Sequence, residues 1–196
     1  MKQALVAALG VLFFSTVAQA ASYEFDPSYT EVRFYYDAQG LTTQSGEWGN
    51  VTGSAEFDAD NLSTIKVSVT IAADRVYTGA TALDNHLKSG DFFDVGKHPT
   101  ITFESTGVRR SGISSVVMTG NLTIKGITKP VDLDVTLNHN GPHPLAAFFD
   151  YYKGEWIGIT ASGSLLRSEF DLGLGAPITG DRIRLEIFAE LKAGGF

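Results

Sequence analysis

The sequence predicts an all-β domain: a closed antiparallel barrel of about eight strands with one short helical insertion. Short runs of alternating apolar and polar residues recur along the chain, and turn residues punctuate them. Nothing in those runs protects an open sheet edge, so closure is the natural way to satisfy every strand.

Taken in order, residues 1–20 read as a leader outside the fold. Lys2 is the positive start, Ala4 to Val17 is apolar and uncharged, and Ala18-Gln-Ala20 is the small-x-small pattern cut by a signal peptidase. Cleavage is expected after Ala20. The run falls short of the roughly 20 apolar residues that span a bilayer. With no cysteine in the chain, a lipobox is excluded. Residues 21–196 are then one exported barrel domain.

Weaker strands are expected at residues 23–25, 31–36 and 51–57. The first clear one sets Ile65, Val67, Val69 and Ile71 against Lys66, Ser68 and Thr70. From Ala80 to Phe93 the alternation stops, and Leu83 and Leu87 form an i, i+4 pair, so one or two short helices broken at Gly90 are predicted. Val95 to Pro99 returns the chain to strands over 100–108 and 115–124. Gly126 and Pro130 mark a turn before Val131, Leu133, Val135 and Leu137 alternate with Asp132, Asp134 and Thr136. Residues 138–155, which begin Asn-His-Asn-Gly-Pro-His-Pro, are expected to form the longest irregular loop. Two strands close the pattern: Ile157-Ile159-Ala161-Gly163-Leu165, and Ile183-Leu185-Ile187-Ala189-Leu191.

A chain of 196 residues can bury roughly 70% of its unfolded surface, which explains how it manages without disulfides. A net charge of −7 disfavours nucleic acid and anionic surfaces as partners. Alternation alone does not say which face points inward. An outer-membrane barrel is disfavoured by the helical insertion, the lack of a recurring aromatic girdle, and Gly194-Gly195 before the terminal Phe196.

Catalytic signals are weak. There is no cysteine nucleophile and no Gly-x-Ser-x-Gly elbow. Ser63-Thr-Ile-Lys66 falls at a strand, and Gly173-Leu-Gly175 lacks the lysine of a phosphate loop. His139 and His143 are close enough to share a metal but have no further ligand nearby in sequence, and His98 reads as a turn residue before Pro99. His86 with Asp84 is a polar pair beside apolar Leu83 and Leu87. It meets a ligand headgroup or ties the insertion to the barrel, and both readings stand open.

An apolar interior with few polar groups suits a long greasy molecule. Val67, Val69, Phe103, Leu122, Ile124 and Ile159 are expected to face inward, and Asp132, Asp134, Arg184 and Glu186 to face water. Phe34, Tyr36, Trp48 and Ile71 complete the candidate wall. Asp84, His86, Leu87, Phe92 and Phe93 on the insertion, with Arg167, form the candidate mouth. Gly120, Ala161, Gly163 and Ala189 at apolar-facing positions favour space over filling.

Two cassettes, Asp84-x-His-Leu87 with Asp91-Phe-Phe-Asp94, and Gly120-x-Leu-Thr123 with Gly126-x-Thr-Lys-Pro130, occur in an order that resembles the YceI-like family. Lys97-x-Pro99, Thr102-Phe-x-Ser-Thr106 and Arg167-Ser-x-Phe170 extend the resemblance, which runs from Tyr23-x-Phe-Asp-Pro27 to Gly180-Asp-Arg-Ile-Arg-Leu-Glu186. It implies a lipocalin-like, extended barrel in the bacterial periplasm that holds a polyisoprenoid, such as a quinone tail, in an apolar tunnel. It implies a carrier rather than an enzyme, with no resident cofactor. The chain departs from the family where Tyr29-Thr30 replace a His-Ser pair, and where Ala38-Gln-Gly40 replaces a His-x-Gly. An enzyme acting on such a lipid through Asp84 and His86 is one alternative. A scaffold or inhibitor binding a protein through its outer face or residues 138–155 is another, and a homodimer stays open.

Overall fold

In a computed structural model, residues 20–58 and 61–196 are described, so the leader expected over residues 1–20 lies outside them save Ala20. Ten strands form the sheet: β1 (Ala21–Phe25), β2 (Glu31–Ala38), β3 (Thr42–Trp48), β4 (Thr52–Phe57), β5 (Lys66–Ala72), β6 (Thr100–Arg110), β7 (Ser115–Ile124), β8 (Ile127–Pro142), β9 (Glu155–Leu166) and β10 (Arg182–Ala193). All pairings are antiparallel, and β1 pairs with β10 to close the ring.

Ten elements make eight staves. β1 and β2 lie one after the other along β10, while β4 pairs with β1 and β3 with β2. Each of the first two staves is thus one long strand broken in the middle. The barrel is an eight-stranded meander with an apolar inner face, the reverse of an outer-membrane barrel.

The break between β1 and β2 has a local cause. Asp26 is fully buried, and its carboxylate accepts the Ser28 N–H at 2.8 Å and the Tyr151 hydroxyl at 2.5 Å. That is an Asx turn, which bends the chain without a gap in the sheet. The Asp26 N–H still donates to the Glu190 carbonyl at 2.8 Å. The other stave breaks at Asn50, whose φ of 56° lies in the left-handed region that asparagine tolerates.

The insertion between β5 and β6 holds one helix, α1 (Thr81–Lys88), followed by turns through Lys97. The turn expected at Gly126 is Lys125-Gly126, both with positive φ, as a tight two-residue hairpin requires. Pro130 lies inside β8 rather than at its start, opposite Asn121. The stretch it occupies pairs with β7 alone, the edge position where proline is tolerated.

The loop expected over 138–155 is shorter than the sequence indicates. β8 runs to Pro142, with Gly141 opposite Trp156, and a bulge between Leu137 and His139 resets its register. Beyond Thr136 no β7 residue is paired with it, so turn-forming residues fit an edge ladder that alternation could not reveal. The remaining loop folds over the outside of the barrel and covers Trp156, which is buried and contacts Tyr151, Tyr152 and His143.

Candidate ligand-binding cavity

Strand alternation sends one apolar set inward, and these side chains leave the lumen unfilled. A lower chamber of about 260 Å³ runs from the β4–β5 connection and the β6–β7 turn to mid-barrel. An upper chamber of about 570 Å³ continues to the β2–β3 turn, α1 and the β9–β10 loop. Val32, Ile71, Leu122 and Leu185 line both and form the waist between them.

Val67, Val69, Phe103 and Ile159 line the lower chamber. Val67, Val69 and Ile159 are only half-buried although they point inward, because the lumen beside them is empty space. Phe34, Tyr36, Trp48, Phe92, Phe93 and Ile124 line the upper chamber, together with His86, Leu87 and Arg167. An aromatic ladder climbs that wall, with ring centroids 6.3 Å apart for Tyr36 and Phe34, 4.9 Å for Phe34 and Trp48, and 5.4 Å for Trp48 and Phe93. Burial raises the Tyr36 phenol above its ordinary pKa, so at neutral pH it is a hydrogen-bond donor.

Asp84 alone of the expected residues does not line the cavity. Its carboxylate accepts the Thr78 N–H at 2.8 Å and the Thr78 hydroxyl at 2.7 Å, pinning the start of the insertion. The expected Asp84–His86 pair does not form, because residues two apart on a helix point to opposite sides of it. His86 instead places Nε2 3.1 Å from Asp91 and stands edge-on to Phe92 at 5.0 Å.

Arg167 is buried, and burial lowers its pKa. Its guanidinium donates to the carbonyls of Gly180, Leu174 and Thr179, each at 2.9 Å, and to that of Leu172. It braces the β9–β10 loop from within rather than offering an open charge. Lys125 links three elements over the upper end, reaching Asp171 Oδ2 at 2.8 Å, the Asp171 carbonyl at 3.1 Å and the Gly90 carbonyl at 3.4 Å.

Several lining residues escaped the sequence reading. Leu172, Leu174 and Thr179 come from a loop without alternation, which buried Arg167 and Lys125 hold over the lumen. Both departures from the family pattern lie at the cavity. Thr30 lines the lower chamber, and its buried hydroxyl has no hydrogen-bond partner among the described residues. Ala38 and Gln39 line the upper end. Tyr29 is exposed, and its hydroxyl accepts that of Tyr152 at 3.2 Å.

The two loop histidines do separate jobs. His139 Nε2 lies 3.1 Å from the Gly141 carbonyl, while His143 stacks on Tyr152 at 4.1 Å and its Nδ1 accepts the Leu145 N–H at 3.1 Å. Among the described residues no group of three or more His, Asp or Glu side chains could hold a metal ion, and no helix is long and apolar enough to cross a membrane.

Comparison with known proteins bears on this cavity. A UPF0312 protein of Pseudomonas paraeruginosa is 40% identical over 158 residues, 79% of this chain and 82% of its own. The protein YceI of Salmonella arizonae is 34% identical over 164 residues, 83% of this chain and 82% of its own. Among solved structures, BcnA of Burkholderia cenocepacia shares the fold with a TM-score of 0.74 at 20% identity, over 85% of this chain and 98% of that one. A polyisoprenoid binding domain from Saccharophagus degradans, implicated in plant cell wall breakdown, superposes with a TM-score of 0.67 at 9% identity, over 88% and 99%. The YceI-like domain matches residues 23–191, nearly the whole barrel, and the chain belongs to the YceI-like family.

Proposed function

We propose that this protein is a periplasmic carrier that holds a long-chain isoprenoid lipid in the lumen of its barrel. The observation that carries this reading is the almost wholly apolar lining of two chambers that share Val32, Ile71, Leu122 and Leu185. Such a lumen gains about 25 cal/mol for each Å² of apolar ligand surface it removes from water. The polyisoprenoid-binding domain with the same fold supports the ligand class, and the leader expected over residues 1–20 supports export.

The upper end is where a headgroup belongs, since Tyr36, Gln39, His86 and Thr179 lie there. Arg167 and Lys125 are already committed to protein acceptors. The upper end therefore offers hydrogen-bond donors, which suits an uncharged acceptor such as a quinone carbonyl. With Asp84 turned onto Thr78, the acid–base pair that an enzyme would need is absent from the lumen, and this favours a carrier over an enzyme.

Native mass spectrometry of protein purified from the periplasm without detergent tests the reading. A retained long-chain lipid, released on denaturation and identified in the extract, is expected. A homogeneous empty protein that takes up no added prenyl quinone would refute it.

A further inference from the structure

We propose that Gly46 and Gly120 set the bore of the lumen beside its waist, and through it the length of chain the barrel admits. The inference rests on the carrier reading. Neither glycine has positive φ, so neither backbone position needs glycine for its conformation. Both need it for space. A Cβ at Gly46 would lie 2.4 Å from Phe34 Cζ and 2.6 Å from Cε1. At Gly120 it would lie 2.2 Å from Phe103 Cζ and 2.4 Å from Cε2. Real side chains do not approach so closely, so each ring occupies a notch of space that only glycine leaves free.

The two notches bracket the waist. Phe34 faces Gly46 across the β2–β3 pair and sits two residues from Val32, on the upper side. Phe103 faces Leu122 across the β6–β7 pair, on the lower side. Val32 and Leu122 both belong to the waist. A ring displaced from its notch has one way to move. Phe34 is flanked along the wall by Trp48 at 4.9 Å and Tyr36 at 6.3 Å, so it must swing into the lumen. The tail of a short ligand would still fit one chamber, whereas a long one would find the passage between chambers blocked.

The test uses two prenyl alcohols as probes, short farnesol and long solanesol, with uptake measured by native mass spectrometry and by tryptophan fluorescence. Gly46→Ala is the principal variant, because the atoms its Cβ would meet are all side-chain atoms, whereas a Cβ at Gly120 would also stand 2.8 Å from the Glu104 carbonyl. Farnesol should bind Gly46→Ala within about twofold of the parent, and solanesol should weaken about tenfold or more. Gly46→Ala/Phe34→Leu should recover solanesol. Phe34→Trp, which enlarges the ring and leaves the strand backbone alone, should reproduce the loss and serves if Gly46→Ala does not fold. If the parent binds both alcohols and the variants keep solanesol at parental affinity, the glycines do not set the bore and the carrier reading stands. If the parent binds neither, the carrier reading falls and this inference falls with it.

Discussion

Val69 faces Phe103 across the β5–β6 pair and lines the lower chamber. Its half-exposed side chain borders empty lumen, so Val69→Trp has room to fold but fills the path of the lipid. We expect Val69→Trp to melt within a few degrees of the parent and to retain no long-chain lipid by native mass spectrometry. Unchanged retention would place the ligand elsewhere. Leu122 sits at the waist, buried between Phe103 and Lys129 in register. A carboxylate there has no partner and costs several kcal/mol or more, so Leu122→Asp should give no soluble folded protein. Arg167→Met leaves the carbonyls of Leu172, Leu174, Thr179 and Gly180 without their donor. A loss of about 2–3 kcal/mol in chemical denaturation is expected, with the β9–β10 loop becoming the first site of proteolysis.

At the scale of elements, the insertion and the β9–β10 loop are separate pieces bound over one end of the barrel. The loop carries a pH dependence. Hydrogen bonds from the Ser168 hydroxyl and N–H hold the Asp181 carboxyl below its ordinary pKa, helped by Arg167 and Arg182. A depressed folded pKa means that this stabilisation is present above the ordinary aspartate range, ~3.9, and is lost as pH falls through the lower folded value. Amide exchange in residues 167–181 should therefore quicken on acidification below that range, and Asp181→Asn should remove the dependence. The effect is small because Asp181 is open to solvent. What was legible here divides by periodicity. α1 was visible from Leu83 and Leu87, and the apolar faces of β5, β8, β9 and β10 from period-two alternation. The last residues of β8 were not, since Asn138 to Pro142 are turn formers paired on an edge. Nor were the lumen contacts of Leu172 and Leu174, which depend on a tertiary clamp. The apolar sequence neighbours of Asp84 point to a site residue, yet helical geometry turns it toward Thr78.

For the whole molecule, closure rests on β10, which meets β1 over three residues and β2 over five. β1 meets β10 over only Tyr23, Glu24 and Phe25, whereas β9 meets β10 along eleven residues. Tyr151 reinforces that seam from outside through its hydrogen bond to buried Asp26, and burial together with that bond pushes the phenol pKa far above its usual value. Tyr151→Phe should cost about 1–3 kcal/mol, because a buried carboxylate loses a partner. The β1–β10 amides should then exchange sooner than those of the β9–β10 ladder. Equal protection of both seams would show that the aromatic cover does not hold the barrel shut. The eight-stave closed form itself was legible, since alternating runs without edge protection point to closure. That the strands expected at 23–25 and 31–36 would share one stave was not, because their own residues do not show that both lie along β10.

The seam has a kinetic consequence as well. Tyr23 pairs with Ala193, so the contact that closes the ring joins nearly opposite ends of the domain in sequence. Neighbouring hairpins can form early, but the ring closes only after the whole chain between them is ordered, and its loop-closure entropy is spent last. Until then β1 and β10 each present an unpaired edge flanking an apolar inner face, which is the geometry that recruits a second unfinished copy. Refolding should accordingly be slow and sensitive to protein concentration, and a chain cut before β10 should aggregate rather than settle as a smaller barrel.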